Sequence, residues 1–320
     1  MIIKRDPRAT TRAAWLRARA ARYRLRCIGR VSGPRSKITM ARLLAEETLL
    51  GSLPEPAADA ALPVRAEGLG GHVVWLRPRS TDCLALEFLD FGYHLPPAGQ
   101  VGPIRHVAVF GANIGLLLAD LADRHPQARL LGVEPDPDNA ALARRNLARY
   151  GGRCSLEEAA VWHRAETLTL GWESDAWGQI LISPPAGNGL AARARHYNAV
   201  DAGDLLAAFT GSAPVDYLLV NIESAWHEML QNGHWTKTVR CIKIEIQDHY
   251  DDAVPLLQAL GYQASLQRLS WGAFATGIRP AQTQQDTGRV PYPRQMERET
   301  TVAHGRSRLI QAHANPGSAR

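Results

Sequence analysis

A turn with two glycines and an acidic residue about 20 positions beyond it could together bind the ribose of a nucleoside. The turn, GANIG at residues 111–115, directly follows Val107–Phe110, an apolar run typical of a strand buried on both faces. Glycine adopts backbone angles that other residues avoid, so we expect the turn to keep N–H groups free and to let a ligand approach closely. Glu134 ends the next apolar run, and a carboxylate there can accept hydrogen bonds from both ribose hydroxyls.

The number of glycines in the turn narrows the class of cofactor. A third glycine that would complete G-x-G-x-x-G is absent, because leucines follow Gly115. The complete pattern brings backbone and helix close to the pyrophosphate of NAD or FAD. A ligand with one ribose and no phosphate, such as S-adenosyl-L-methionine, is therefore favoured, and an NAD-dependent enzyme is the least favoured alternative.

The elements that must position these residues follow from hydrophobic spacing. Apolar residues recur at helical intervals over 114–121, which predicts a helix that ends before Pro126. Leu130–Val133 is predicted as the second strand, and a second helix is expected to begin at Pro137 and to end at the glycines at 151 and 152. Strand, helix, strand and helix in this order form one half of a doubly wound α/β sheet, whose ligands bind at the carboxyl ends of the strands.

Further elements are predicted along the rest of the chain. Before the glycine turn we expect a helix over Met40–Leu53 and a strand followed by a helix within residues 69–93. After it, the patterns predict a third strand at Arg153–Trp162, a hairpin of Glu166–Leu170 and Gly178–Ser183, a helix at Asp201–Phe209, a fourth strand at Tyr217–Ile222, a fifth at Arg240–Ile246, a helix at Ala253–Leu260 and a closing antiparallel hairpin of Gln263–Leu269 and Gly272–Ile278.

Charge and composition divide the chain into regions. Residues 1–40 carry 12 Lys/Arg and one acidic residue, for a formal +11, which leaves −5 for the remainder of a chain of 320 residues and formal charge +6. The high pI therefore belongs to the arm and says nothing about the substrate. We expect a basic flexible arm at 1–40, an N-terminal helix and strand segment at 41–103, the cofactor-binding domain at 104–280 and a disordered tail at 281–320.

The basic arm leaves three alternatives open. A flexible tail is the favoured interpretation. The arm could instead form a basic helix that touches nucleic acid or an anionic membrane. In the third alternative, Met40 is the natural start and residues 1–39 are not part of the protein.

Cysteine usage and hydropathy predict a cytoplasmic location. The four cysteines, Cys27, Cys83, Cys154 and Cys241, lie far apart with no C-x-x-C pair, which favours neither a zinc site nor a disulfide framework and fits a reducing compartment. No apolar run approaches 18 residues, so we expect no transmembrane helix, and the charged N-terminus lacks the apolar core of a secretory signal.

Several motifs together resemble the FkbM-type methyltransferases, a family of class I S-adenosylmethionine-dependent enzymes. The first is Arg-Pro-x-Ser-x-Asp at Arg77–Asp82, and the second is Gly-Ala-Asn-x-Gly at Gly111–Gly115. Glu134-Pro135, Asn146 in the following helix and the segment Val215–Ser224 complete a likeness that covers about residues 68–280.

The resemblance implies a fold, a cofactor and a set of cofactor-binding residues. The implied fold is α/β, a Rossmann-like seven-stranded class I methyltransferase sheet with helices on both faces, and the implied cofactor is S-adenosyl-L-methionine. In the family, residues at the end of the third strand flank the adenine. The cofactor-binding residues are then Gly111, Ala112, Asn113, Gly115, Glu134, Pro135, Glu158 and Ala159.

Four positions depart from the family's pattern, and at one of them Trp226 stands where the family has its next acidic residue. Val109 stands where the family has an Asp that usually helps to hold the methionine end of the cofactor, and Asn221 and Ser224 replace the Asp and Gly of Asp-x-Glu-Gly. These departures leave open a non-catalytic protein that retains the methyltransferase fold.

Catalytic candidates lie after the fourth and fifth predicted strands, at the edge of the sheet that faces the cofactor. Methyl transfer to a hydroxyl requires an acceptor held in line and a base that removes its proton. We expect Glu223 or His249 to act as the base and Asn221 to orient the acceptor, whereas His227 is expected on an exposed part of a helix. No resident metal is predicted, although Glu223, Asp248 and His249 form a less favoured candidate set for a divalent ion.

The sequence therefore predicts a methyltransferase that acts on the oxygen of a small-molecule acceptor, such as a secondary metabolite or a sugar-like compound. An amino methyltransferase acting on nucleic acid is the alternative, because Ser183-Pro184-Pro185 resembles a motif that binds flat amino groups. Ala186, however, stands where that motif has an aromatic residue. No membrane partner is expected, the basic arm keeps nucleic acid as a minor alternative, and the oligomeric state is unknown from sequence.

Overall fold

The computed structural model describes residues 25–50, 57–172, 179–181, 195–223, 225–269 and 272–280, without the side chains of 171–172 and 179–181. The helices are α1 (Pro34–Leu50), α2 (Asp82–Phe91), α3 (Leu116–Arg124), α4 (Pro137–Leu147), α5 (Ala202–Thr210), α6 (Ala225–Gln231) and α7 (Ala253–Ala259). The strands are β1 (Leu62–Ala66), β2 (His72–Leu76), β3 (His106–Phe110), β4 (Arg129–Val133), β5 (Cys154–Glu157), β6 (Ala160–Trp162), β7 (Glu166–Trp172), β8 (Gln179–Leu181), β9 (Arg195–Asp201), β10 (Val215–Val220), β11 (Val239–Ile246), β12 (Gln263–Arg268) and β13 (Ala273–Ile278).

The central sheet has seven strands in the order β12-β13-β11-β10-β3-β4-β5. Pairing is parallel from β11 through β10, β3 and β4 to β5, whereas β13 runs antiparallel to both β11 and β12. The chain leaves β3 for β4 on one side and adds β10 on the other, so the topological switch point lies between the carboxyl ends of β3 and β10. The predicted seven strands and closing hairpin are confirmed.

Apolar side chains of the central strands are buried on both faces of the sheet. On one face, Val107 and Val109 pack in a cluster with α1 to α4, and on the other, Ala108 and Phe110 pack in a cluster with α5 to α7. Because both faces are covered, these strands are continuous apolar runs rather than alternating ones. The predicted placement of helices on both faces is confirmed.

The predicted third strand, Arg153–Trp162, is two strands in different sheets. β5 pairs with β4 in the central sheet, but the chain breaks at Glu158 and Ala159, and β6 enters a four-stranded sheet of order β6-β9-β7-β8. β6 pairs in parallel with β9 (Arg195–Asp201), which the sequence reading missed. The predicted hairpin of the following residues is present as antiparallel β7 and β8.

The N-terminal boundary differs from the predicted flexible arm at 1–40. Cys27 and Val31 have no exposed surface, and Val31 forms a β-bridge with Ala66. Helix α1 begins at Pro34, six positions before the predicted start at Met40. The flexible-arm prediction is therefore wrong for residues 25–40, of which Cys27, Val31, Ser36 and Met40 are buried. The predictions for residues 1–24 and 281–320 lie outside the described residues.

The predicted 41–103 segment packs against the central sheet. Its residues Leu43, Leu44 and Val74 share one buried cluster with Val107 of that sheet. Within the ranges described, no helix is long and apolar enough to cross a membrane.

Candidate cofactor site and reaction cleft

The glycine turn uses its N–H groups inside the protein. Gly111 and Ala112 donate to the Val133 carbonyl at 3.0 and 2.9 Å, and Gly115 donates to the Ala112 carbonyl at 2.9 Å. Asn113 N–H donates to Glu134 Oε2 at 2.7 Å, and Ile114 N–H donates to the Asn113 side chain, also at 2.7 Å. The expectation that the turn keeps its N–H groups free is wrong, because Val133 of β4, the Glu134 carboxylate that follows β4 and acceptors within the turn itself take them up.

Gly111 is required by the neighbouring strand rather than by a ligand. Its φ is +78°, and a Cβ there would lie 2.8 Å from the Asn221 carbonyl carbon and closer still to the oxygen. The approach is fixed from the other side, since Asn221 N–H donates to the Phe110 carbonyl at 2.8 Å. Gly115, with φ +83°, packs against the backbone of Ala143 in α4.

Glu134 is buried at the end of β4 and anchors the turn. Its Oε1 accepts from Asp136 N–H at 3.1 Å and from the Asn139 side-chain amide at 3.2 Å, and its Oε2 accepts from Asn113 N–H. Burial raises the pKa of Glu134 to about 7, although the three hydrogen bonds favour the ionised form. A carboxylate has about four acceptor positions, so Oε2 retains one for a ribose hydroxyl.

A buried ion pair stands behind Glu134. Arg77 donates to Asp82 through Nε at 2.9 Å and through Nη2 at 2.8 Å, a bidentate geometry between side chains only 3% and 4% exposed. Arg77 Nη2 also donates to Asn139 Oδ1 at 2.8 Å, and Asn139 in turn donates to Glu134. The Arg-Pro-x-Ser-x-Asp segment therefore positions the acidic residue through one amide, a function that the sequence reading did not assign to it.

Asn146 connects the same region to the glycine turn. Its side chain accepts from Trp75 N–H at 2.7 Å and donates to the Ile114 carbonyl at 2.8 Å. Because it is buried and satisfied on both sides, Asn146 ties β2 and α4 to the turn.

An open cleft lies at the carboxyl edge of β3, β10 and β11. Ala85 and Phe88 of α2 and the leucines at 116 and 117 give it an apolar wall. Its polar lining consists of Asn113, Asn221, Glu223, Glu245 and Gln247. The predicted residues Gly111, Ala112, Asn113, Asn221 and Glu223 are thus brought together in one place.

Two carboxylates face this cleft. Glu223 follows β10 with φ +49°, and Glu245 lies near the end of β11. Burial raises the pKa of Glu245 to about 7, and the negative charge of Glu223 adds to the rise, whereas a hydrogen bond with Gln247 opposes it. Sequence reasoning placed Glu245 near a strand end but did not select it, although an acidic residue within an apolar strand was the available signal.

Other predicted site residues lie elsewhere. Glu158 is exposed and forms an ion pair with Arg144 at 2.6 Å. The cleft lining does not include Glu158, Ala159, Pro135 or Glu134. His249 is also outside the lining and stacks on His227, with ring centroids 4.4 Å apart. Ser183-Pro184-Pro185 and Ser224 lie outside the described residues.

Val109 occupies the family's Asp position as a core residue. Its side chain is fully buried in the cluster that joins β3 to α3 and α4. An unpaired carboxylate in such surroundings would carry a large desolvation penalty, so the local packing suits valine.

The seven strands have the order and directions of the class I methyltransferase sheet, in which the last strand lies antiparallel between two others, as β13 does between β11 and β12. The chain has a class I methyltransferase fold. No protein-family model and no curated protein matches it.

Three solved methyltransferase structures are similar to this chain at low sequence identity. An O-methyltransferase family protein from Burkholderia thailandensis is 15% identical over 63% of this chain and 57% of that chain, with TM-score 0.38. Precorrin-6y C5,15-methyltransferase from Geobacter metallireducens is 12% identical over 55% and 81%, with TM-score 0.33. TrmK of M. capricolum, in complex with S-adenosyl-homocysteine, is 11% identical over 56% and 63%, with TM-score 0.35. The fold is therefore assigned from the strand order of the chain itself.

Proposed function

We propose that this chain is an S-adenosyl-L-methionine-dependent methyltransferase, related to the FkbM type, that methylates a hydroxyl of a small-molecule acceptor. The observation that carries the proposal is the cleft at the switch point, where the glycine turn meets two carboxylates, Glu223 and Glu245. The absence of disulfide-like cysteine spacing supports a cytoplasmic location.

The cofactor is expected along the glycine turn, with its ribose at Glu134. The remaining acceptor position on Glu134 Oε2 and the adjacent Asn113 backbone suit one ribose edge. S-adenosyl-L-methionine would supply an activated methyl group, whose transfer forms an O–C bond, breaks the C–S bond and leaves the hydroxyl proton to be taken up.

The acceptor is expected between Phe88 and the two carboxylates. The apolar wall holds the carbon frame of a small molecule, and Asn221 can orient a hydroxyl by hydrogen bonding. Glu245 takes the proton, because a carboxylate with a pKa of about 7 is a better base near neutral pH than an ordinary one. Glu223 keeps the basicity of Glu245 high through its negative charge.

Binding of S-adenosylhomocysteine tests the cofactor site first. We expect the full chain to bind it with micromolar affinity in a calorimetric titration. Glu134→Ala should bind it at least tenfold more weakly, because the variant lacks both the acceptor for the ribose and the carboxylate that holds the glycine turn. Glu46→Ala is the control, since Glu46 pairs with Arg42 on α1, away from the cleft. Absence of binding at about 1 mM ligand, a free energy near −4 kcal/mol, would contradict the proposal.

The rate of methyl transfer should depend on pH through Glu245. With an acceptor identified by screening hydroxyl compounds, we expect the rate to rise as pH passes through about 7, because only the ionised carboxylate accepts the proton. Glu245→Gln should reduce kcat about 10²-fold. Glu223→Gln removes a negative charge and should lower the pKa of Glu245, so the profile moves to lower pH. An unchanged profile in both variants would exclude this pair as the base.

A further inference from the structure

Two histidines and an aspartate converge outside the cleft lining. His227 Nε2 lies 3.0 Å from Asp252 Oδ2, and His249 Nδ1 lies 3.7 Å from the same oxygen. The two imidazole rings stack with an angle of 14° between their planes. One ligand atom from each of the three residues lies within 4.8 Å of the others.

Three separate elements bring these residues together. His227 is in the first turn of α6, just after β10, His249 follows β11, and Asp252 directly precedes α7. His249 has φ +49°, a left-handed conformation unusual for a residue with a Cβ, and from this position its ring stacks on His227. The arrangement is therefore a product of tertiary structure, which the spacing of these residues along the chain does not reveal.

One of the measured distances matches that between two ligands of a zinc ion. Ligand atoms about 2.0–2.1 Å from one zinc ion are separated from each other by about 2.9–3.4 Å at tetrahedral or right angles. The 3.0 Å separation between His227 Nε2 and Asp252 Oδ2 lies within this range, and the 3.7 Å separation between His249 Nδ1 and the same oxygen is longer, so the ion would have to draw the His249 ring closer. Imidazole nitrogen with one carboxylate oxygen is a donor set for zinc and its neighbours in the first transition row, whereas magnesium prefers oxygen ligands throughout.

A further carboxylate lies on the other side of the His249 ring. Asp248 Oδ2 is 4.0 Å from His249 Nε2, while His249 Nδ1 faces Asp252. A metal-binding histidine commonly has its second ring nitrogen directed at a carboxylate, which fixes the ring orientation. The surroundings of His249 thus have the polarity expected of a metal ligand.

We propose that His227, His249 and Asp252 bind a divalent transition metal ion of the zinc type, with water in the remaining coordination positions. The site differs from the set Glu223, Asp248 and His249 that the sequence suggested, because His227 takes part. It would join the segments after β10 and β11, which carry Glu223 and Gln247 of the cleft. The proposal concerns metal binding and is independent of methyl transfer.

The test is a Zn²⁺ titration of the full chain after removal of metals by chelation and dialysis. We expect one equivalent to bind with micromolar or tighter affinity, and His227→Ala, His249→Ala and Asp252→Asn each to weaken binding at least tenfold. His234→Ala is the control, because His234 is exposed on another segment, and it should bind as the wild type does. Co²⁺ should give visible absorption bands that the three ligand variants lack.

Two outcomes would overturn this assignment. One is wild-type affinity for Zn²⁺ in all three ligand variants, and the other is failure of the wild type to bind Zn²⁺ at 100-fold excess. A folding defect is distinguished by the S-adenosylhomocysteine titration of metal-free variants, which should match the metal-free wild type. Failure of that ligand to bind wild type would contradict the methyltransferase proposal and leave the metal result intact.

Discussion

Replacing Gly111 with alanine is expected to destabilise the protein by about 5 kcal/mol. Forcing extra volume into a packed site costs about 1–3 kcal/mol, and a strained backbone conformation costs about 1–3 kcal/mol. We expect the upper part of that sum, because the atoms that a Cβ would meet belong to the Asn221 backbone, which cannot rotate away. A shift of this size is comparable with the whole stability of many domains, so most of the chain should be unfolded or insoluble.

Two other glycines serve as controls that separate the cost of the added volume from the cost of the backbone conformation. Gly151 has φ +56° and Gly152 has no positive φ, and neither would place a Cβ within 4 Å of another group. Gly151 also has ψ −141°, so Gly151→Ala should lose about 1–3 kcal/mol from its backbone conformation alone, and Gly152→Ala should lose none. Urea denaturation of the three variants measures the differences. A Gly111→Ala midpoint equal to that of Gly151→Ala would show that β10 can move away from β3.

The glycine turn shows how far a motif can be interpreted without the structure. Its position, its link to Glu134 and the sheet around it were predictable, because buried parallel strands and amphipathic helices leave strong local patterns. The use of its N–H groups was not predictable, since their acceptors, Val133 and Glu134, belong to the next strand. Gly111 was attributed to ligand approach, whereas the structure places the Asn221 carbonyl against it.

Contacts between segments far apart in the sequence account for the other differences between the predicted and the observed elements. β6 looked like a continuation of β5, and only its pairing with β9, almost 40 residues later, places it in a second sheet. Likewise, Cys27 and Val31 lie in a basic segment that looked unfolded, yet both are buried, Val31 beside Ala66 of β1 and Cys27 beside the Cys83 carbonyl of α2. Local composition carries no information about such contacts.

The same limit applies within the candidate site. Glu223 and Asn221 were selected because they follow a strand, and both line the cleft. Glu245 lies inside β11 and became a candidate only when burial and the charge of Glu223 were visible. His249 was selected for its residue type and loop position, and the structure pairs it with His227 instead.

Removing the carboxylate of the buried Arg77–Asp82 pair should cost about 3 kcal/mol, the lower end of the range for buried pairs, because Arg77 loses its bidentate partner while the charges of Asp136 and Asp138 still act on it. Asp82→Ala leaves the Arg77 guanidinium with Asn139 as a neutral partner. We expect a lower denaturation midpoint and weaker binding of S-adenosylhomocysteine, since the Arg77 guanidinium, which contacts Asn139 and through it Glu134, loses the carboxylate that holds it in place.

An exposed ion pair of the same length is the matched control. Arg268 Nη2 lies 2.8 Å from Asp251 Oδ1, with side chains 58% and 95% exposed, and Arg268→Ala should leave the midpoint unchanged because water replaces the partner. The double variant Arg77→Met/Asp82→Leu removes both charges and should regain much of the lost stability. It should not regain ligand affinity, because replacing Arg77 also removes the donor to Asn139 Oδ1. Recovery of both properties would show that the pair acts through packing alone and does not position Glu134.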